Sequence, residues 1–262
     1  MKRIISLAMV LCLCLCAASA MAADGSLERV KKAGKLVIGL DDAFPPMGYR
    51  DDNNKIVGFD VDAAEEVGKR MGVEIVWQPT AWDGVILSLN AKKFDCIWNG
   101  MTITEERAKK VAFSKPYIMD GQIATVRMDQ KETSFDQLGG KKVGVQKGSP
   151  ALEAAKELPN AAGEIREYDT NPKAFLDLEA GRLDSVVVDN VTGRFYMAKR
   201  PGKFRALPGY ITKEAFGIAF RMDDAALRAA VQKHIDDMIA DGTMGKISRK
   251  WFGEDVTDPS KW

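Results

Sequence analysis

Hydrophobic and polar positions alternate between two periods along this chain. In residues 26–33, Leu27, Val30 and Ala33 share one face at helical spacing; Gly34 breaks the run, and Lys35–Leu40 reads as a strand. Residues 41–54, "DDAFPPMGYRDDNN", read as a loop, since Pro45 and Pro46 exclude both a regular helix and a central strand. A short strand follows near Ile56. A helix then carries Ala64, Val67 and Met71 inward, with Asp60 as its expected cap and Gly72 as its stop. "VEIVWQP" reads as a strand, "WDGVILSLNAKK" as a helix with Ile86 and Leu89 or Asn90 on its faces, and "FDCIW" as a third strand. This β–α–β–α–β order predicts a parallel sheet covered by helices.

The plan then restarts. "GQIATVRM" (residues 121–128) reads as a strand, and so does Lys142–Gln146, which is followed by a glycine-bearing loop and a helix. A strand near Ile165, a helix capped near Asn171 and a strand over residues 185–188 come next. "KEAFGIAFR" is a further strand. Leu227, Val231, Ile235 and Met238 then mark one long helix, with Asp223 as its expected cap and Gly242 as its end. No repeat of fixed period is present, but strand, glycine-bearing loop and helix recur twice.

The start of the chain has a different character. "MKR" is basic, "IISLAMVLCLCLCAA" is apolar, and "SAMA" supplies small residues at Ala20 and Ala22. This is the layout of a cleavable secretory signal over residues 1–22. Leucines rather than small residues precede Cys12, Cys14 and Cys16, which argues against a lipid anchor. The mature chain keeps Cys96 alone, so no intramolecular disulfide is expected. A net charge of +1 over 262 residues gives no electrostatic basis for nucleic-acid binding. These features predict a soluble, monomeric periplasmic protein.

Enzyme chemistry finds little to work with. His234 is the single histidine, and it sits beside the apolar stripe of the long helix as a boundary residue, so histidine triads and histidine-rich metal sites are excluded. Cys96 lies in a strand read as buried. "GVQKGS" lacks the ending and spacing of a P-loop. No cofactor and no metal are expected. What remains is a set of residues at the carboxyl ends of the strands, where open α/β sheets bind ligands. These are Asp41 and Phe44; Trp82 and Asp83; Asn99, Gly100, Met101, Thr102 and Arg107; Gln146, Gly148 and Ser149; and Asp189 with Asn190. Each has a structural reading as well: Thr104 can cap the helix opened by "EER", Trp82 can be a core aromatic, and Asp189 can cap a helix.

"GFDVDAAEEVG" (residues 58–68), "WDGVILSL", "NGMTITEERAKKVAFSKPY" and the closing "WFG" resemble the bacterial solute-binding proteins of family 3, the polar amino-acid receptors of ABC importers. The resemblance runs in order through the whole mature chain. Ala63 departs from it, since the family signature usually has a larger apolar residue there. The resemblance implies an α/β, two-lobed periplasmic binding protein (type II) fold with two crossover strands. Lobe 1 would comprise residues 26–117 and 217–262, the hinge strands residues 118–121 and 213–216, and lobe 2 residues 122–212. It also implies an amino acid as ligand, and the membrane permease and ATPase subunits of an importer as partners.

Carried over residue by residue, the resemblance gives Arg107 the ligand carboxylate, helped by the Thr102 N–H and by Ser149 at a helix N-terminus. The Gly100 carbonyl, the Thr102 hydroxyl and Asp189 would take the ammonium. Phe44 and Trp82 would flank the side chain, Asp41 would meet its polar or cationic end, and Gln146, Asn99, Met101 and Gly148 complete the expected pocket. Two aromatics and an acid favour glutamine, arginine or lysine over an acidic ligand, and "PTAWDG" resembles the family's cystine receptors, which keeps cystine open. Two other readings stay open: a periplasmic dehydratase of prephenate-like acids, for which only Asp41 or Asp189 offers a general acid, and a ligand-sensing subunit of a membrane receptor.

Overall fold

A computed structural model describes residues 24–160 and 162–262. The expected signal over residues 1–22, with Cys12, Cys14 and Cys16, lies outside the described residues. Two sheets organise the rest. The first is six-stranded. Its strands β1 (Lys35–Leu40), β5 (Glu74–Pro79) and β6 (Cys96–Thr102) run parallel in the order β5–β1–β6. Strand β14 (Glu214–Phe220) joins β6 antiparallel, and β7 (Ala112–Phe113) and β8 (Ile118–Asp120) pair with β14. The second sheet has five strands in the order β11–β10–β12–β9–β13. Here β10 (Lys142–Gln146), β11 (Glu164–Tyr168) and β12 (Ser185–Asp189) are parallel, β9 (Gln122–Arg127) is antiparallel to β12, and β13 (Phe204–Ala206) is antiparallel to β9.

The expected parallel sheets thus exist, each continued by one strand of opposite direction, β14 or β9, because the chain crosses between the lobes there. On leaving the first sheet, β8 runs directly into β9; β14 returns, and its Glu214 pairs with Asp120 and its Phe216 with Ile118. The two crossovers are therefore hydrogen-bonded to each other.

Helices cover both faces of each sheet, as buried parallel strands require. In lobe 1, α1 (Ser26–Ala33), α2 (Phe59–Met71), α8 (Ala225–Ala240) and α9 (Thr243–Phe252) bury one cluster around Phe59, Trp98, Tyr117 and Phe216. On the opposite face a cluster of Trp82, Val85, Leu89, Ile97 and Met101 lies under the one-turn segment Trp82–Gly84 and α3 (Val85–Asn90). In lobe 2, α5 (Ala151–Lys156), α6 (Asn171–Glu179) and α7 (Asn190–Lys199) pack on the two faces.

Several expectations need correction. Residues 41–54 are not a plain loop: β2 (Ala43–Phe44) and β3 (Gly48–Arg50) lie within them and form a small antiparallel sheet with the expected strand at Ile56, β4 (Ile56–Val57); Pro45 and Pro46 lie in the turn between β2 and β3 and are joined by a cis peptide bond. Helix α2 starts from Gly58 with no side-chain cap, and Asp60 is buried instead. Helix α8 follows Asp224, again without a side-chain cap, and not Asp223. Gly242, with φ 76°, ends one helix and starts α9, an unexpected helix although Met244, Ile247 and Trp251 fall at helical spacing. Strand β6 runs on through Asn99, Gly100, Met101 and Thr102, with all seven residues buried.

Candidate ligand-binding site

The buried polar end of β6 has a buried polar support. Asp60 is fully enclosed, and its carboxylate accepts hydrogen bonds from Trp98 Nε1 (3.1 Å), the Gly100 N–H (2.6 Å) and the Tyr117 hydroxyl (3.1 Å). Burial outweighs these donors and pushes its pKa up to about 7. Gly100 has φ 56°, and a Cβ there would lie 2.8 Å from the Phe44 ring, so only glycine lets the strand turn this close to the aromatic. Asn99 Oδ1 accepts from the Asp41 N–H at 3.0 Å and ties β6 to the end of β1.

Beyond β6, Thr104 Oγ1 accepts from the Arg107 N–H at 3.2 Å and caps α4 (Glu105–Ala108), as expected. This one-turn helix delivers the guanidinium of Arg107, which is 9% exposed, back over the strand end. Nη1 donates to the Thr102 carbonyl at 2.9 Å, and Nη2 crosses to the Gly148 carbonyl of the other lobe at 3.0 Å. The charge also lies 5.6 Å from the centre of the Trp82 ring. Burial pulls its pKa down to about 10, against the upward pull of Asp189 and Glu214, so it stays cationic at neutral pH. Two of a guanidinium's five N–H donors are used by carbonyls; the remaining three can meet a carboxylate.

The lobes meet around this point. Gln146 Nε2 donates to Asp41 Oδ2 at 2.6 Å, Thr192 Oγ1 to the Pro45 carbonyl at 2.8 Å, and Lys147 lies 3.2 Å from the Asp83 carboxylate. Between them lies a narrow cavity with room for about one water molecule, lined by Asp41, Phe44, Trp82, Asn99, Gly100, Thr102, Arg107, Gln146, Ser149, Pro150 and Asp189. The lobes are drawn closely together over this site, and a ligand larger than water has to part them.

Polarity is divided along this cavity. Burial raises the pKa of Asp41, opposed by the Gln146 hydrogen bond; its Oδ1 accepts from the Ala43 N–H at 2.9 Å. The pKa of Asp189 is also raised, first by burial and then by Glu214, although Gln122 Nε2 donates to its Oδ1 at 2.9 Å. The Ser149 hydroxyl, expected to face a ligand, donates to the Gln146 carbonyl at 2.7 Å. Two expected site residues fall outside the lining. Met101 packs instead into the apolar cluster with Val85, Leu89 and Ile97, behind Trp82. Gly148 acts through its carbonyl, by holding Arg107.

Sequence reasoning passed over Gln122, Pro150, Asn171 and Glu214. Asn171 Nδ2 donates to Gln146 Oε1 at 2.9 Å and so fixes which end of that amide faces Asp41. Glu214 accepts from Thr102 Oγ1 at 3.0 Å and from Gln122 Nε2 at 3.1 Å. A polar residue opening an otherwise apolar strand is the one hint the sequence carries for Gln122 and Glu214.

Two α/β lobes, two crossover strands and an enclosed cavity with a cation from one lobe and a carboxylate from the other define a two-lobed solute-binding protein. The chain belongs to the bacterial extracellular solute-binding proteins, family 3, whose model matches residues 36–254. The L-cystine-binding protein TcyJ of Escherichia coli (strain K12) is 36% identical over 241 residues, covering 91% of this chain and 90% of that protein. The fold is similar to the crystal structure of an ABC uptake transporter substrate binding protein from Streptococcus pneumoniae with bound histidine. That similarity has a TM-score of 0.86 at 30% identity and covers 90% of this chain and 99% of that one. An ancestral amino acid-binding protein, described as a precursor of cyclohexadienyl dehydratase, is 39% identical with a TM-score of 0.81, over 87% of this chain and 99% of that one.

Proposed function

We propose that this protein is the extracytoplasmic capture component of an ABC importer and that its two lobes close on a polar L-amino acid: glutamine, a basic amino acid or cystine. The observation that carries this reading is that Arg107, on lobe 1, and Asp189, on lobe 2, line one enclosed cavity. An α-amino acid presents a carboxylate and an ammonium on one carbon, and these two residues match that pair of charges. The remaining N–H donors of Arg107 take the carboxylate in a fork; Asp189, Thr102 Oγ1 and the Gly100 carbonyl take the ammonium. Phe44 and Trp82 flank the side chain. Asp41, held towards the cavity by Gln146 and Ala43, receives its amide, ammonium or guanidinium end and repels an acidic one. Because the ligand bonds to both lobes, its affinity favours the closed arrangement.

The lobe borders that fit this mechanism are residues 26–117 with 217–262 and residues 122–212, hinged at residues 118–121 and 213–216. The composition of the two sheets supports them. The leader over residues 1–22 exports the chain to the periplasm, where it acts as a monomer, uses no cofactor or metal, and hands its ligand to the permease and ATPase subunits. A thermal-shift screen tests the reading. Ligand at 100 times its Kd adds about 2.7 kcal/mol, a rise of roughly 5–10 °C in a protein of this size. Glutamine, arginine, lysine or cystine should give that rise; a rise with none of the amino acids removes the reading.

A second reading has one specific support, the similarity to a precursor of cyclohexadienyl dehydratase. Prephenate incubated with the protein would yield phenylpyruvate if the chain is a dehydratase. No turnover is expected, since Asp41 and Asp189 are engaged by amide donors rather than set as an acid over a ring.

A further inference from the structure

Glu214 occupies a place that none of the expected ligand contacts covers. It opens β14 on the second crossover, directly opposite Asp120 on the first. Its side chain gathers three donors from three segments. Oε2 accepts from Thr102 Oγ1 (3.0 Å) at the end of β6 and from Gln122 Nε2 (3.1 Å) at the start of β9; Oε1 accepts from Thr212 Oγ1 (2.7 Å) on the returning crossover. The same Gln122 amide also donates to Asp189 Oδ1 at 2.9 Å, so one NH₂ group holds two carboxylates apart. Gln122 is fully buried and Thr102 nearly so.

A hydroxyl has one proton and two lone pairs. With the proton of Thr102 committed to Glu214, a group approaching Oγ1 from the cavity can only be a donor. Gln122 does the corresponding work on Asp189: it satisfies Oδ1 and leaves the rest of that carboxylate as acceptor. We infer that Glu214 is a positioning residue for ligand capture: it orients the Thr102 hydroxyl as an acceptor for the ligand ammonium and links that contact to both crossover strands. The inference rests on the amino-acid reading above and extends it from the cavity wall to the hinge. A donor group in the ligand strengthens the Thr102–Glu214 bond by polarising it. Because Glu214 is also tied to Thr212 and Gln122, the same bond network spans the two segments about which the lobes move.

A double-mutant cycle tests this. Wild type, Glu214→Gln, Thr102→Val and the double variant are titrated calorimetrically with L-glutamine, L-arginine and L-cystine, and the ligand-free melting of each is recorded. If Glu214 acts through Thr102, E214Q weakens binding about tenfold, T102V weakens it by at least as much, and the double variant binds no worse than T102V alone. A purely structural role would instead lower the melting temperature and make the two losses multiply. Multiplying losses, or E214Q within twofold of wild type, overturn the inference. If E214Q melts too low to titrate, Thr212→Val removes the bond to Oε1 and keeps the charge. A loss of two- to tenfold then supports the relay, and unchanged affinity refutes it. Should wild type bind none of the three amino acids, the functional reading fails, and that outcome is distinct from a failed cycle on a protein that binds.

Discussion

Replacing Arg107 by alanine removes the cationic pole of the cavity and one link between the lobes. Its guanidinium spends Nη1 on the Thr102 carbonyl and Nη2 on the Gly148 carbonyl, and its remaining N–H groups are those assigned to the ligand carboxylate. Hydrogen bonds to charged groups contribute about 1.5–3 kcal/mol each, so losing a forked pair costs about 3–6 kcal/mol. That corresponds to a Kd roughly 10²–10⁴ times weaker. Lysine in its place keeps a charge but not the fork, so Arg107→Lys should fall between, at roughly ten- to a hundredfold. Arg107 belongs to none of the apolar clusters of either lobe, so the fold should persist, with far-ultraviolet circular dichroism unchanged. Isothermal titration of the three proteins with the same amino acid measures the effect. An R107A variant that binds within threefold of wild type would refute the assignment of the carboxylate to this residue.

Three further outcomes follow from the geometry. Gly148 has φ 73°, and a Cβ there would sit 2.8 Å from the Asp83 Cα of the other lobe. Gly148→Ala should therefore cost the free protein about 1–2 kcal/mol of backbone strain and should weaken binding by a further ten- to a hundredfold; scattering with saturating ligand should show less compaction than wild type, and equal compaction counts against this. The pKa of Asp189 is raised by burial and by Glu214, with buried Asp120 beside it, and a ligand ammonium favours the charged form. Affinity should thus weaken as pH falls through the raised pKa, by up to about tenfold per unit; a flat Kd from pH 8 to 5.5 would contradict it. Asp60, raised to about 7, contributes stability that is present below the ordinary carboxylate pKa and lost as pH rises through 7. Ligand-free protein should melt several degrees higher at pH 5.5 than at pH 8, and Asp60→Asn should shrink that difference while lowering stability by about 1–3 kcal/mol, which a thermal melt at both values reads directly.

Much of the fold is legible because it is local. The helix from Leu227 to Met238 and the strand from Lys35 to Leu40 declare themselves by period, and Gly34 and Gly72 end their helices in left-handed conformations as glycine should. The site is legible only where strands end. Asn99 and Thr102 look like loop residues because polar side chains interrupt the apolar run. They are buried strand residues because Asp41 meets Asn99, Glu214 meets Thr102, and Asp60 holds the Gly100 N–H between them, all from far along the chain. Asp60 has the spacing of a cap and serves as a buried acceptor for Trp98 and Tyr117, which no local pattern can show. Met101 falls within the motif but packs into the apolar cluster with Val85 and Leu89 rather than lining the cavity, which the motif itself does not show. Gln122, Asn171 and Glu214 carry no periodic signal; the crossovers bring Gln122 and Glu214 together from 92 residues apart, and the packing of α6 beside β10 brings Asn171 to Gln146.

Calorimetric titration of ligand-free protein, prepared by unfolding and refolding to strip any bound molecule, tests amino-acid capture most directly. At least one of glutamine, arginine, lysine and cystine should bind one-to-one at micromolar Kd or tighter, with aspartate and glutamate far weaker. Binding of the acidic pair alone, or of no amino acid at all, would contradict it.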